Sequence, residues 1–317
     1  MTFKAQYSSK VRYLQFLVVA SALLVPGQLW ATTCTDHKLD ILLTNDDGYD
    51  QPGIQALYKV LKSAGHRVIL AAPARNSSGS SASLTLAPVH VKQTAPDIYA
   101  IEGSPATSVL LALSALYPGQ QPDLVVSGIN SGANLGPATP ISGTVGATVA
   151  ALLISPLPVP GVAVSTDAVS KEETSAENLA HLINIAQFTA RLIARLQEES
   201  CGKTALLPKG IALNVNYPPL APEKIRGTQI QSQSKARLFS VIYEAASGTP
   251  GQYLPQLLPA PERNGSADSS AHQAAGSNGD TRAFDQGYIT IVPIDADYTA
   301  GQATQNSLQT TIDGMRP

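Results

Sequence analysis

The chain has 317 residues, of which 44% are hydrophobic and 14% charged, and its net charge is −2. This length and apolar content allow one sizeable hydrophobic core with appended segments. The near-neutral charge gives no general attraction for phosphodiester backbones, so we expect no nucleic-acid polymer as a partner.

The N-terminal segment, residues 1–31, has the pattern of a secretory signal peptide. Lys4, Lys10 and Arg12 precede the apolar residues 13–25, a Pro-Gly break and the small residue Ala31. The apolar run is short for a membrane span. We therefore predict an exported protein, periplasmic or secreted, with no membrane attachment after cleavage; the alternative is an uncleaved N-terminal anchor.

The sequence contains two cysteines, Cys34 and Cys201. In an oxidising compartment such a pair favours one disulfide, and the alternative is two free thiols.

From residue 39 the chain alternates strand and helix patterns. Short apolar runs predict strands, and apolar residues at helical spacing predict helices. The alternation indicates an α/β fold with a mainly parallel sheet covered by helices. We place strands at 39–44, 66–73, 122–128, 161–166 and 210–218, an extended pair at 84–93 and 97–103, and helices at 53–65, 105–117, 143–155 and 175–199.

The character of the chain changes near residue 230, so we predict a core at 38–229 and a separate C-terminal region at 230–317. Residues 231–248 and 288–294 read as the two strands of an extended hairpin. Between them, about 258–280, the composition is rich in Ala, Ser, Gly and Asn, which cannot bury enough apolar surface to order itself. We interpret it as a mobile low-complexity loop.

Polar clusters follow several of the predicted strands: Asn45 to Gly48, residues 73–83, residues 127–136, and Ser142 to Thr144. The carboxyl ends of parallel strands meet at one edge of a sheet, where ligands bind. Each cluster by itself also fits a turn, a flexible loop or a helix cap.

These clusters have complementary chemical uses. Adjacent carboxylates suit Mg²⁺ or Mn²⁺, because a cation relieves their repulsion. Serine- and glycine-rich turns and a helix beginning at Ser142 present backbone N–H groups to an anion. A divalent metal beside a phosphate site indicates phosphoryl chemistry. Other schemes fit poorly: there is no Gly-x-Ser-x-Gly, Walker or His-Glu-x-x-His motif, and the five histidines are scattered.

The segments ILLTNDDGYDQPGIQAL, APARNSSGSSASLTL, VSGINSGANLG and SGTVGAT resemble, in order and spacing, the SurE family of survival-protein nucleotidases. GVAVS, LNVNYP and DQGYITIVPIDADYTA extend the resemblance over residues 39–305. The resemblance implies a Rossmann-like three-layer core with a C-terminal swapped element and hairpin that build a homodimer or homotetramer.

It also implies a metal-dependent phosphatase, of the acid phosphatase type, that acts on nucleoside 5′- and 3′-monophosphates. By the same resemblance, one of the catalytic residues Asp46 and Asp47 binds the metal, and the other binds it or activates water. Matched by motif, the metal ligands are Asp46, Asp47, Ser78 and Asn130, and the phosphate-binding residues are Asn45, Gly79, Ser80, Asn134, Ser142, Gly143 and Thr144.

The sequence departs from the family pattern in three respects. Ile141 stands where the family commonly has an aromatic residue, the helix continues GATVAALL, and the hairpin region is rewritten. Family members are usually cytoplasmic, whereas residues 1–31 predict export. Two alternative functions stay open: an exported phosphate- or nucleotide-binding protein without turnover, and an exopolyphosphatase.

Overall fold

A computed structural model describes residues 38–117, 120–201, 205–235, 239–259 and 279–313. The predicted leader, Cys34 and most of the predicted low-complexity loop lie outside the described residues. Within them, no helix is long and apolar enough to cross a membrane.

A nine-stranded sheet forms the centre of the fold, in the order β3-β4-β2-β1-β5-β6-β7-β11-β8. The six strands from β4 to β7 are parallel, and β3 and β11 run antiparallel to their neighbours β4 and β7. The strands are β1 Asp40–Thr44, β2 Arg67–Pro73, β3 Val91–Ala95, β4 Ile98–Ile101, β5 Leu124–Ser131, β6 Gly161–Thr166, β7 Ala212–Tyr217, β8 Thr228–Ile230, β9 Phe239–Ala245, β10 Tyr253–Pro259 and β11 Ile289–Ile294. Strands β9 and β10 form a separate two-stranded sheet.

Helices cover both faces of the central sheet. The α-helices are α1 Pro52–Ser63, α2 Pro105–Leu111, α3 Gly143–Leu153, α4 Ala176–Glu199, α5 Asp280–Asp285 and α6 Gln302–Ile312. Successive side chains of a strand point to opposite faces. Accordingly, Ile41 and Leu43 of β1 lie in a core with Leu57 of α1, whereas Leu42 lies in the opposite core with Ala151 of α3. The predicted three-layer, Rossmann-like α/β fold is confirmed.

The predicted pairing of residues 231–248 with 288–294 is wrong. Strand β9 pairs with β10, and β11 joins the central sheet between β7 and β8. The physical reason is burial: Ile289 and Ile291 are each 4% exposed and belong to the main core, which a solvated hairpin strand would not permit. A hairpin does exist in the C-terminal region, but it forms between neighbouring segments joined by residues 246–252.

Candidate active site

The two carboxylates lie where β1 ends, and Asn45 fixes the turn that presents them. Asn45 is fully buried; its Nδ2 donates to the Gly48 carbonyl at 2.8 Å and its Oδ1 accepts from the Gly48 N–H at 3.2 Å. Gly48 has a φ of +129°, a conformation that side chains disfavour. The structure thus uses Asn45 to close the turn, and its predicted phosphate contact stays a prediction.

Asp46 is 2% exposed and faces the start of α3. Thr144 Oγ1 donates a hydrogen bond to Asp46 Oδ1. Burial raises the pKa of the Asp46 carboxyl, and the hydrogen bond from Thr144 opposes that effect. A Cβ added to Gly143 would lie 2.8 Å from Asp46 Oδ2, so the helix N-terminus approaches the carboxylate as closely as a glycine allows.

Asp47 carries the second carboxylate of the pair. Its Oδ2 accepts from the Ser131 N–H at 3.1 Å, which connects the end of β1 to the end of β5. Burial, and then the neighbouring charge of Asp46, raises the pKa of Asp47 to about 6. In the part of the chain that the structure describes, neither carboxylate has a lysine or arginine ion-pair partner. A bound cation would therefore satisfy a charge that the described residues leave uncompensated.

The neutral oxygens around the pair suit such a cation. Asn130 is 8% exposed, and its Nδ2 donates to the Gly132 carbonyl at 2.6 Å, which leaves Oδ1 with no hydrogen-bond partner among the described residues. Ser78 lies in the exposed turn after β2, and the Ser77 N–H donates to the Asp46 carbonyl at 2.7 Å, which fixes this turn beside Asp46.

The set is two carboxylates with hydroxyl and amide oxygens, and no three His, Cys, Asp or Glu side chains cluster as metal ligands within the described ranges. Hard oxygen donors in small number match Mg²⁺ or Mn²⁺, and Mg²⁺ retains several waters in such sites. The residues present therefore fit the divalent metal that the sequence predicts.

The start of α3, where the sequence predicts an anion site, lies beside the pair. Ser142 caps the helix by accepting the Val145 N–H at 3.2 Å, while Ser80 Oγ is buried without a partner in the described structure. A Cβ on Gly143 would lie 2.7 Å from Ser80 Oγ, so these residues enclose a narrow polar space. An anion placed there would meet the positive end of the helix dipole and the unpaired hydroxyl.

The region around Asn134 contains polar residues that sequence reasoning missed. Asn134 Nδ2 donates to Ser165 Oγ at 2.8 Å, its N–H donates to Asn216 Oδ1 at 2.7 Å, and its carbonyl accepts from Asn214 Nδ2 at 2.8 Å. These bonds give Asn134 a role in positioning the loop before α3, and its predicted phosphate contact stays a prediction. Asn214 and Asn216 alternate within the buried strand β7, and that unusual alternation is the signal that could have revealed them.

The departure at Ile141 falls at the rim of the anion site. Its side chain is 50% exposed, and its carbonyl accepts the Ser81 N–H at 3.1 Å. The backbone contact with the serine-rich loop at residues 73–83, which we call the serine loop, therefore exists without an aromatic side chain at position 141.

Two clefts flank the carboxylates. We call the first the Asp47 cleft; its lining includes Asp47, Pro52, Ile129, Ser131, Glu173 and Leu182. The second, the serine cleft, includes Arg75, Ser77, Ser78, Ser80 and Glu102.

Two adjacent carboxylates that can bind a metal, placed opposite a helix N-terminus, suit a phosphate ester as the substrate. Together with the doubly covered parallel sheet, this arrangement identifies the class as a metal-dependent α/β phosphatase. Comparison with known proteins then gives the family. Residues 41–240 match the family model described as survival protein SurE, and the chain belongs to that family.

The relatives cover most of the chain. A 5′-nucleotidase SurE of Xylella fastidiosa (strain M12) is 36% identical over 267 residues, which is 84% of this chain and 93% of the relative. A 5′-nucleotidase SurE of Caulobacter vibrioides (strain NA1000 / CB15N) is 30% identical over 87% of this chain and 97% of the relative. The crystal structure of the SurE protein from Aquifex aeolicus aligns with a TM-score of 0.63 and 29% identity, over 86% of this chain and 100% of that one. The predicted family and phosphatase class are confirmed, and the family is metal-dependent.

The prediction of export is wrong. SurE homologues are cytoplasmic. The prediction depended on the composition of residues 1–31 alone, which lie outside both the described residues and the match to the family model at 41–240. The prediction of export used only the pattern of an apolar run after basic residues, and no structural observation supports it.

Cys201 is disulfide-bonded. Cys34 lies outside the described residues, so the predicted Cys34–Cys201 pairing stays a prediction.

Proposed function

We propose that this protein hydrolyses nucleoside 5′- and 3′-monophosphates to nucleoside and phosphate with the help of Mg²⁺ or Mn²⁺. The observation that carries the proposal is the approach of the α3 N-terminus to Asp46, beside the uncompensated carboxylate of Asp47. The relatives named 5′-nucleotidase SurE support the choice of a nucleotide as the substrate.

In this proposal Asp46, Asp47, Ser78 and Asn130 hold the cation. When bound, a divalent cation polarises a phosphoryl oxygen and lowers the pKa of water. Thr144 and backbone N–H groups at the start of α3 orient Asp46. The Ser131 N–H orients Asp47 through one oxygen, so that the other oxygen of Asp47 stays available. One carboxylate serves as a metal ligand, and the other either binds the metal or accepts the proton of the attacking water.

The substrate phosphate occupies the space enclosed by the Ser80 hydroxyl and the backbone of Gly143 and Thr144, with Gly79 and Ser142 at its edge. Negative charge that develops on the phosphoryl oxygens is stabilised by the helix N-terminus, which is already oriented before the reaction. Asn134 positions the loop before α3 and so keeps these donors in place, whereas Asn45 fixes the turn that presents the carboxylates.

The test is phosphate release from a panel of 5′- and 3′-nucleoside monophosphates, with polyphosphate as a comparison. The protein is first treated with EDTA and then supplied with Mg²⁺ or Mn²⁺. We expect metal-restored release from nucleotides. Binding of nucleotides without release under any metal would instead support the binding protein, and faster release from polyphosphate than from nucleotides would support the exopolyphosphatase.

A further inference from the structure

The Asp47 cleft adjoins the proposed metal site and is not used by the proposed phosphate contacts. Asp47, a proposed metal ligand, and Ser131, whose N–H donates to it, both line the cleft, so the organic part of a substrate bound at the metal can enter it. Its walls are apolar at Pro52, Ile129 and Leu182. Clefts of this kind, at the carboxyl edge of a parallel sheet, commonly hold the organic part of a phosphorylated ligand.

Most polar side chains of this cleft already make hydrogen bonds within the protein. Asn178 Oδ1 accepts the N–H groups of Val169 and Ser170, and its Nδ2 donates to the carbonyls of Ser170 and Glu172. His181 Nε2 is 2.8 Å from Thr166 Oγ1, and burial lowers the pKa of this histidine, so the ring is neutral. These groups shape the cleft and leave little capacity for a ligand.

Asp167, an exposed carboxylate of the cleft, accepts the Ala133 N–H at 2.8 Å. Glu173 is the lining carboxylate that no hydrogen bond engages in the described part of the chain. Its side chain is exposed at the cleft, makes no hydrogen bond or ion pair within the described ranges, and lies close enough to Asp47 to raise that residue's pKa. No lysine or arginine lines this cleft in the described part of the chain. A free carboxylate with no lysine or arginine beside it suits a neutral ligand with hydrogen-bond donors and repels a further phosphate.

We propose that the Asp47 cleft is the ribose subsite and that Glu173 accepts hydrogen bonds from the vicinal 2′- and 3′-hydroxyls of a 5′-ribonucleotide. The inference rests on the proposed nucleotidase function and adds to it a preference for sugar and position. In a 5′-nucleotide only one methylene group and one oxygen separate the phosphorus from the sugar ring, so the diol lies near the metal site. A 3′-nucleotide and a 2′-deoxynucleotide each lack the free diol.

The test compares kcat/KM for 5′-AMP, 5′-dAMP and 3′-AMP in the full chain and in Glu173→Ala, with Glu172→Ala as the matched control. Glu172 is the adjacent exposed glutamate, but it does not line the cleft. We expect the wild type to favour 5′-AMP over 5′-dAMP by about tenfold, the effect of one hydrogen bond to a charged group. Glu173→Ala should bring that ratio close to one, whereas Glu172→Ala should retain it.

A wild-type ratio near one, or an equal loss for 5′-AMP and 5′-dAMP in Glu173→Ala, would overturn the ribose subsite. Calorimetric binding of adenosine and 2′-deoxyadenosine gives a second readout that needs no turnover. Tighter binding of adenosine to the wild type than to Glu173→Ala supports the subsite, and equal binding overturns it. Hydrolysis of p-nitrophenyl phosphate by the wild type separately tests the phosphatase, so a failure of the subsite and a failure of the proposed function are distinguishable.

Discussion

At the scale of single residues, the fold places two adjacent carboxylates in a buried environment that disfavours their charged forms. The pKa of Asp47 rises from 3.8 to about 6 through burial and the charge of Asp46. A shift of this size corresponds to about 3 kcal/mol against the ionised form. A divalent cation bound at the proposed metal site would offset this cost, and Asn130 and Ser78 would add neutral oxygens to its ligands.

The substitution Asp46→Asn tests the proposed metal site. It removes one charge from the metal ligands but preserves the size of the side chain that meets Thr144. We expect a loss of turnover of about a thousandfold or more, with the fold retained, because the cation supplies several kcal/mol of transition-state stabilisation. Phosphate release and circular dichroism measure the two effects. Asp50→Asn, in the exposed part of the same loop, is the control, and near-wild-type rates in Asp46→Asn would refute the mechanism.

The raised pKa of Asp47 predicts how the stability of the metal-free protein depends on pH. Between pH 3.8 and about 6 this residue is ionised in the unfolded chain but protonated in the folded one. Its contribution to the free energy of unfolding is therefore present at low pH and is lost as pH rises through that window, by up to about 3 kcal/mol. Urea titrations with EDTA across this range measure the slope, and Asp47→Asn should remove the component due to this residue.

Added Mg²⁺ should restore stability above pH 6, because the metal binds the ionised pair. The same fall in stability with rising pH in wild type and Asp47→Asn would show that Asp47 has no such effect.

At the scale of elements, α3 connects the site to the core. Its first residues meet Asp46 and Ser80, while Ala147 and Ala151 pack in the core on that face of the sheet. A Cβ on Gly146 would lie only 2.0 Å from the Ser81 carbonyl, so the helix and the serine loop pack backbone to backbone. The proposed phosphate site is thus built on a helix that packs in the core, although the serine loop that completes it is partly exposed.

The substitution Gly143→Ala tests this close approach. Its Cβ would lie 2.7 Å from Ser80 Oγ and 2.8 Å from the Asp46 side chain, so these two groups must move. We expect turnover to fall by about tenfold or more, with a stability cost of about 1–3 kcal/mol typical of overpacking. Kinetics and thermal unfolding measure both. Gly301→Ala, where a Cβ would meet no atom within 4 Å, should leave both unchanged; wild-type turnover in Gly143→Ala would contradict the proposed enclosure.

At the scale of the whole molecule, the C-terminal segment 279–294 contacts the loop that precedes α3. The buried carboxylate of Asp280 accepts the N–H groups of Gly136, Ser234 and Thr281 at 2.8–3.0 Å. Gly136 begins the short 3₁₀ helix that leads to Ile141 and the α3 cap. The loop before the phosphate site is therefore fixed by a residue 144 positions away.

The hairpin of β9 and β10 presents an apolar face that other described residues do not bury. Val241, Tyr243, Tyr253 and Leu257 share that face and are 46–69% exposed. An isolated two-stranded sheet is marginally stable in water. We therefore propose that this face forms the subunit contact of the predicted homodimer or homotetramer.

The double substitution Tyr243→Glu and Leu257→Glu tests this contact. Charged side chains on an apolar interface leave unpaired charges, so we expect the assembly to dissociate to monomers while the central sheet stays folded. Multi-angle light scattering measures the mass. Gln256→Glu on the opposite face is the control and should keep the wild-type mass. A wild type that is already monomeric, or an unchanged mass in the double variant, would exclude this interface.

The sequence by itself determined the elements of the core and the order of the polar clusters, because both are local. Continuous apolar runs define β1 and β2, helical spacing defines α1 and α4, and the motifs around Asp46 and Ser142 are short continuous segments. The resemblance built on those motifs identified the family without any knowledge of tertiary contacts.

Only the tertiary structure decided where β11 pairs, which residues fix the loop before α3, and where the Asp47 cleft lies. The hydrogen bonds of Asn134 with Asn216, and of Asp280 with Gly136, join residues 82 and 144 positions apart. Hydrophobic periodicity gives the type of an element but not its partner in the sheet, since several strands of similar pattern can compete for the same edge. The observed pairing of β11 buries its apolar side chains, and the same arrangement gives hydrogen-bond partners to buried polar groups such as Asn134 and Asp280. Both conditions depend on residues far apart in the chain.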